Sequence, residues 1–201
     1  MTKIIFVRHG QTLWNLEMKY QGHTDIALSE LGIEQAKRVS KRLMSEEFSA
    51  VYSSDLVRAF ETANIIAAPK KIKVNTDCDL REICFGDWEG LTYAEINEKW
   101  PNALNQFFSD TTKITIPNGE SFETLKQRSD VAINKILEKH KKETVVVVAH
   151  GATIRAMICS ALNLPLDYVW RIRQDNTAVN MVEYHKNNNI VTLLNDIHHL
   201  N

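Results

Sequence analysis

Residues 4–10 read Ile-Ile-Phe-Val-Arg-His-Gly, and residues 145–151 read Val-Val-Val-Val-Ala-His-Gly. Both runs are short and apolar, a pattern typical of strands buried on both faces of a parallel sheet. The carboxyl ends of such strands share one edge of the sheet, where ligands of open α/β folds bind. The sequence therefore predicts that His9 and His150, from opposite ends of the chain, meet in one cleft.

Composition limits the class of protein. The chain has 201 residues, which suffices for one well-buried α/β domain and is short for two, so residues 1–201 are predicted to form a single domain. A formal net charge of -1, without a basic stripe or tail, argues against a nucleic-acid partner. The amino terminus leads straight into a strand without an apolar signal-peptide region, so we expect no membrane association.

Cysteine and histidine usage predicts the compartment and the cofactors. The 3 cysteines are scattered and include no Cys-x-x-Cys pair, which fits buried thiols in a reducing cytoplasm. The 7 histidines form no His-x-x-x-His pair, and none clusters with carboxylates at ligand spacing. We therefore expect a cytoplasmic protein with no metal and no cofactor.

Helical and strand patterns alternate along the chain, which predicts an α/β fold. We expect a three-layer α/β/α sandwich with a mostly parallel central sheet and an antiparallel edge hairpin. Strands are predicted at 3–8, 50–52, 72–74 (at an edge) and 144–149, with the hairpin at 178–184 and 190–194. Helices are predicted after Ser29, after Asp55 as far as Pro69, once or twice within 92–108, and over 121–141 and 151–162.

Two details of these elements can be tested directly. Ser29 is predicted to cap a helix that buries Ile33, Ala36, Val39 and Leu43. Residues 78–120 are the least regular part of the chain and contain several glycines and prolines, and residues 83–120 form most of this segment. We expect residues 83–120 to form a lid over the carboxyl edge of the sheet.

Four motifs in the chain resemble those of one family, the phosphoglycerate-mutase-like histidine phosphatase superfamily. Residues 8–15, Arg-His-Gly-Gln-Thr-Leu-Trp-Asn, are similar to its opening motif, and Gln21-Gly22 falls where its phosphate loop continues. Residues 52–59 resemble its second arginine segment, and 80–90 its acid/base segment. Ala149-His150-Gly151 closes the set in the family's order.

The resemblance implies roles that spacing alone does not assign. His9 is the implied nucleophile, which would form a phosphohistidine, and His150 would donate to the phosphoryl oxygens in transit. Glu82 is the implied general acid and then general base, although Asp87 and Glu89 lie close enough to compete for that role.

Phosphate chemistry leads to a similar set of residues. A phosphomonoester carries about two negative charges, so its site needs cations and N–H donors that converge on phosphorus. Arg8 and Arg58 each offer a planar fork of donors, and Asp55 as a helix cap would place Arg58 in the first turn. We expect further phosphate or substrate contacts from Asn15, Gln21, Gly22 and Gly151. The amino terminus of the helix that starts at Gly151 is also expected to face the phosphate. His23 and Arg155 are interpreted as structural, and Trp14 and Trp88 as packing residues.

The family contains phosphatases, which hydrolyse a phosphomonoester, and mutases, which move the phosphoryl group from one position of a substrate to another. The sequence favours a phosphatase. The similar mutases grip the substrate carboxylate with an insertion that contains an Arg-Arg pair. Residues 91–117 here are compact, and their basic residues are Lys99 and Lys113. The alternatives are a cofactor-dependent phosphoglycerate mutase and a non-catalytic regulatory protein that binds phosphate.

The substrate stays open at this level. Residues 117–121, Pro-Asn-Gly-Glu-Ser, resemble α-ribazole phosphatases and broad-specificity phosphatases, whereas residues 174–177 resemble metal-independent phosphoserine phosphatases. The latter branch departs from the aromatic-glycine step that Phe85-Gly86 retains. The expected partner is a small phosphomonoester (α-ribazole 5′-phosphate, phosphoserine or a sugar phosphate), acted on by a monomer or a homodimer.

Overall fold

One mixed sheet of six strands lies at the centre of the computed structural model, which describes residues 1–111 and 116–201. The strands are β1 (Thr2–Arg8), β2 (Ala50–Ser53), β3 (Val74–Thr76), β4 (Thr144–Ala149), β5 (Val179–Tyr184) and β6 (Asn189–Asp196). Their spatial order is β3-β2-β4-β1-β5-β6. Neighbours among β1 to β4 pair in parallel, whereas β5 pairs antiparallel with β1 and with β6. The predicted edge strand and edge hairpin are confirmed.

Helices cover both faces of this sheet. They are α1 (Leu13–Leu16), α2 (Glu30–Arg42), α3 (Val57–Ala67), α4 (Tyr93–Lys99), α5 (Ala103–Ser109), α6 (Phe122–Lys139) and α7 (Gly151–Ala161). Side chains of α2 and α3 pack on one face, and side chains of α4 to α7 pack on the other. The predicted three-layer α/β/α sandwich is therefore confirmed, as are two helices within 92–108.

The central strands are buried from both sides, as their composition indicated. Ile4 and Phe6 of β1 face the layer of α4 to α7, whereas Ile5 and Val7 face α2 and α3. β4 alternates in the same way, with Val145 and Val147 on the first side and Val146 and Val148 on the second. A strand that meets apolar layers on both faces has no position for a polar side chain, which explains the uninterrupted apolar runs.

Helix α2 has the predicted cap but a different buried face in its first turn. The Ser29 hydroxyl accepts the Gly32 N–H at 3.1 Å, as expected for an N-cap. Ala36, Val39 and Leu43 are buried, but Ile33 is 38% exposed, so its predicted burial is wrong. The buried position in the first turn is Gly32, because the backbone at Gln11 packs directly against it.

The predicted cap of α3 is also wrong. Leu56 is the N-cap and makes no side-chain cap bond, while the Asp55 carboxylate accepts Arg81 Nε at 2.7 Å. A different carboxylate covers the helix end, because Asp25 Oδ1 accepts the Val57 N–H at 2.7 Å. Arg58 nevertheless lies in the first turn of α3 as expected.

The segment predicted as a lid contributes to the core on the α4–α7 side of the sheet. Trp88, Ile96 and Phe107 belong to the apolar cluster that contains Phe6. The packing role expected for Trp88 agrees with its complete burial. In the described part of the chain, no helix combines the length and the apolar character needed to cross a membrane.

The contact between Gly32 and the loop after β1 generates a stability prediction. A Cβ atom at Gly32 would lie 2.0 Å from the Gln11 carbonyl oxygen, and backbone cannot move aside as a side chain can. We expect Gly32→Ala to lower the free energy of unfolding by about 1–3 kcal/mol or more. Urea denaturation measures this, with Leu31→Ala on the exposed face of the same turn as the control. Equal stability of the two variants would contradict the prediction.

Candidate active site

The parallel pairing of β1 with β4 brings the two predicted histidines together. Arg8 lies opposite Ala149 in the register, so His9 and His150 each follow the last paired residue of their strand. Their ring centroids are 5.1 Å apart, with an angle of 59° between the planes. Both side chains are buried. The two imidazoles therefore lie side by side at one position on the sheet edge, as expected.

The His9 ring is held as one tautomer. Its Nδ1 lies 2.7 Å from the Gly10 carbonyl oxygen, and a carbonyl can only accept, so Nδ1 carries the hydrogen and donates it. Burial lowers the pKa of His9 well below its usual value, and the nearby cations Arg58 and Arg8 lower it further. The ring is thus neutral near pH 7, with a free lone pair on Nε2.

His150 lies in a similar electrostatic environment but makes different contacts. Burial is the main cause that lowers its pKa well below the usual value, followed by the charge of Arg58. Neither ring nitrogen has a hydrogen-bond partner among the described residues. A buried polar group without a partner costs free energy, so this ring is suited to a bound group that supplies the missing hydrogen bond.

Two guanidinium groups accompany the imidazoles, that of buried Arg58 and that of half-buried Arg8. Arg58 donates to the carbonyls of Thr24 at 3.0 Å and Gly22 at 2.7 Å, and burial lowers its pKa to about 10. Arg8 donates from one terminal nitrogen to the Gln174 carbonyl at 2.7 Å. The Nε atoms of both arginines are buried without a partner in the described part of the chain. Unpaired donors on two cations indicate a site for an anion.

These groups open onto a cavity of about 320 Å³. The predicted residues that line it are Arg8, His9, Asn15, Gln21, Gly22, Arg58 and Glu82. His150 and Gly151 are not among its lining residues; they lie at the start of α7, with the His150 ring beside His9. The structure thus brings seven of the nine predicted site residues to one cavity and the other two next to it.

The loop after β1 presents further donors to the cavity. Asn15 Oδ1 accepts the Thr12 N–H, and Gln21 Oε1 accepts the Thr12 hydroxyl. Because both side-chain oxygens are engaged, each amide has its NH₂ group to offer to an anion. Gly22 has φ +54, and a Cβ there would lie 2.0 Å from a Glu89 carboxylate oxygen, so this turn needs glycine.

Glu82 lies at the amino terminus of α7. Its carboxylate accepts the N–H groups of Ala152 at 3.1 Å and Thr153 at 3.2 Å, and also the Thr153 hydroxyl. We expected these helix N–H groups to face the phosphate, and that expectation is wrong because they hold Glu82 instead. The helix terminus therefore orients the acidic side chain of the site.

The two competing carboxylates have other partners. Glu89 accepts the backbone N–H groups of His23, Thr24 and Phe85, and so ties two loops together. Asp87 is exposed and accepts the side-chain amide of Asn118. Neither lines the cavity, so among its described lining residues Glu82 is the acidic one.

Several residues at the cavity were not predicted. Met18, Lys19, Tyr20, Phe85 and Tyr93 complete its lining. No sequence signal identifies most of them, because they come from an irregular loop and from the segment around α4. Met18 has φ +53, a conformation that a sequence pattern does not reveal.

The two residues interpreted as structural lie close to the site. His23 Nε2 donates to the Glu82 carbonyl at 2.9 Å. Arg155 donates to the Ile172 carbonyl at 2.7 Å, and one of its terminal nitrogens would lie 3.1 Å from a Cβ on Gly151. The position of Arg155, one helical turn after His150, was the available signal that it lies near the site.

Comparison with known proteins gives consistent matches over the whole chain. The profile of the histidine phosphatase superfamily (branch 1) matches residues 4–197. Phosphoglycerate mutase-like protein 4 of Arabidopsis thaliana is 50% identical over 158 residues, which are 77% of this chain and 69% of that protein. Phosphoserine phosphatase 1 of Hydrogenobacter thermophilus is 34% identical and covers 100% of this chain and 95% of its own. The solved structure of YhfR from Bacillus stearothermophilus has a TM-score of 0.95 at 35% identity, with 100% of both chains covered.

The environment of His9 generates a prediction about protonation. In phosphate-free buffer, nitrogen-15 NMR should show a neutral His9 ring with hydrogen on Nδ1 down to pH values below about 6.5, where an unperturbed histidine titrates. His9 and His150 have lower pKa values in the folded chain than in the unfolded chain, so the unfolded chain binds protons first as the pH drops. The free energy of unfolding should therefore fall below about pH 6.5. Hydrogen on Nε2, or ordinary titration of His9, would contradict the assignment.

Proposed function

Because the chain belongs to the histidine phosphatase superfamily (branch 1), we propose that it hydrolyses a small phosphomonoester through a phosphohistidine on His9. The chain is a phosphoric monoester hydrolase of this family. The observation that carries the proposal is the set of unpaired nitrogens on Arg8, Arg58 and His150 around neutral His9. A phosphoryl group would supply the acceptors that these nitrogens lack.

In the first step, the Nε2 lone pair of His9 attacks phosphorus and the P–O bond to the alcohol breaks. Arg8, Arg58 and His150 donate to the phosphoryl oxygens, whose charge spreads in the transition state. Protonated Glu82 gives its proton to the departing alkoxide, so that a neutral alcohol leaves. The products of this step are the free alcohol and a phosphohistidine on His9.

In the second step, Glu82 acts as a base. Its carboxylate takes a proton from water while the water oxygen attacks phosphorus and the P–N bond to His9 breaks. Inorganic phosphate leaves and both side chains return to their starting states. The arginines and imidazoles supply the positive charge and donors for both steps, so the proposed mechanism uses no metal ion.

We propose that the alcohol part of the substrate is small and carries a carboxylate, as in phosphoserine. The cavity of about 320 Å³ is at the lower end of the range for ligand sites. Besides the two arginines, its lining cation is Lys19, whose ion pair with Glu17 is exposed and therefore weak. Lys19 can exchange that partner for a substrate carboxylate. The larger alcohol of α-ribazole 5′-phosphate fits this cavity less well.

The mutase alternative has support in the name of the Arabidopsis relative. A mutase must hold the carboxylate while the phosphoryl group moves, but the described cavity lining has no adjacent arginine pair. Lys99 is exposed, and Lys113 lies outside the described residues. We therefore favour release of inorganic phosphate over its return to substrate. A regulatory role without turnover is disfavoured because His9, His150 and Glu82 are all present.

The proposed location is the cytoplasm. Cys78, Cys84 and Cys159 form no disulfide, which fits a reducing compartment.

His9→Ala tests the proposed nucleophile. We expect loss of turnover to below a tenth of the native rate and no labelled enzyme after rapid quenching with ³²P-substrate. The label on the native enzyme should survive base and be lost in acid, as phosphohistidine is. His185→Ala, in the exposed turn between β5 and β6, is the control and should turn over normally. Retained activity in His9→Ala would refute the nucleophile.

Glu82→Gln tests the proposed acid through the leaving group. An alkoxide leaves poorly without a proton, whereas nitrophenolate is stable without one. Phosphoenzyme formation should therefore slow by about 10²–10⁴-fold with phosphoserine and far less with nitrophenyl phosphate. Asp87→Asn, which alters an exposed carboxylate outside the cavity, is the matched control. Equal slowing with both substrates would show that Glu82 is not the acid.

A further inference from the structure

Arg128 of α6 makes hydrogen bonds to several backbone carbonyls in the segment that ends at Glu82. Arg128 donates from one terminal nitrogen to the carbonyls of Asp79 at 2.9 Å and Arg81 at 2.8 Å. Its other terminal nitrogen donates to the Glu82 carbonyl at 2.7 Å. Three carbonyls within four residues therefore converge on one guanidinium, and the last belongs to the proposed acid.

The remaining donors of Arg128 are occupied by a carboxylate. Nε donates to Glu120 Oε1 at 2.7 Å, and a terminal nitrogen donates to Glu120 Oε2 at 2.8 Å. All five guanidinium N–H groups therefore have acceptors. Glu120 also accepts the Cys84 N–H at 3.1 Å, so it holds the chain two residues after Glu82. Both side chains of this ion pair are largely buried.

The backbone of Glu82 is held from a second side as well. His23, in the loop after β1, donates from Nε2 to the Glu82 carbonyl at 2.9 Å, so this carbonyl accepts from His23 as well as from Arg128. The carboxylate is held by the N–H groups of Ala152 and Thr153 on α7. α6, α7 and the loop after β1 thus fix the position of one carboxylate, and the contribution of α6 passes through Arg128.

We propose that Arg128 is a positioning residue for Glu82, which sets the reach of the acid toward the leaving oxygen. This inference rests on the proposed function, because it assumes that Glu82 transfers the proton. A displacement of about 1 Å in a catalytic group can cost about 10²-fold in rate. Lysine cannot replace arginine here, because an ammonium has three donors and no planar fork to span five acceptor atoms.

Arg128→Lys tests the proposal through a readout that loss of stability alone does not change. The measured quantity is the rate of phosphoenzyme formation in single turnover, with phosphoserine and with nitrophenyl phosphate. A displaced acid should slow the reaction with phosphoserine at least about 10-fold more than the reaction with nitrophenyl phosphate, within the range of general acid catalysis. Glu120→Gln, which weakens the grip of the pair on residue 84, should change the ratio in the same direction.

Lys135→Gln is the control, since it removes an exposed cation from the same helix without touching the Glu82 segment backbone. It should leave the ratio of the two rates unchanged. The inference would be overturned if Arg128→Lys slowed the reaction equally with both substrates, or did not slow it at all. If Arg128→Lys does not fold, the ratio of the two rates in Glu120→Gln tests the inference in its place. If Glu82→Gln itself lacks the contrast, the proposed acid fails; if only the Arg128 and Glu120 variants lack it, the positioning role fails.

Discussion

The register between β1 and β4 is the constraint on which the site depends. Arg8 pairs with Ala149, so both strands end at one level and His9 and His150 lie side by side. A slip of one residue would move one imidazole by about 3.3 Å along the strand and turn its side chain to the other face of the sheet. The register is fixed by alternate side chains of both strands, which enter two different apolar layers. The same burial that stabilises the sheet therefore aligns the two imidazoles.

The positive charges of Arg8 and Arg58 at this edge of the sheet destabilise the protein without a ligand and favour a bound anion. Burial lowers the pKa of Arg8 and Arg58, and it also lowers the pKa of both histidines, with a further contribution from the charges of the two arginines. Cations with unpaired donors cost free energy in a buried site, and a phosphate dianion offsets that cost when it binds. Burial and the arginine charges together lower the pKa of His9, so its ring is neutral, as the proposed nucleophile must be. These cations thus favour both a bound anion and the neutral form of the His9 ring.

Periodicity was enough to predict the sandwich, the parallel core and the edge hairpin, because long apolar patterns reflect burial directly. His9 and Arg58 could be predicted to lie together because strand ends and helix starts share one edge. Glu82 follows no strand and starts no helix, so only the resemblance to the family pointed to it. The caps were harder: Asp25, not Asp55, covers α3, since a carboxylate distant in sequence is nearer in space. Tyr20 reaches the cavity from irregular backbone and Tyr93 from the first residue of α4. Arg128 contacts the Glu82 carbonyl from a helix whose pattern indicates only a buried face.

The contacts of Glu82 also distinguish its two oxygens. Oε1 accepts from the N–H groups of Ile83, Ala152 and Thr153 and from the Thr153 hydroxyl, whereas Oε2 has one contact, the Ala152 N–H at 3.2 Å. An oxygen whose lone pairs are occupied by donors cannot also carry a proton without losing one of them. In the proposed mechanism, Oε2 is therefore the atom that would hold the proton before the alcohol leaves and accept one from water afterwards. The helix terminus and the Arg128 network fix the rest of the residue, so the proton moves while the carboxylate stays in place.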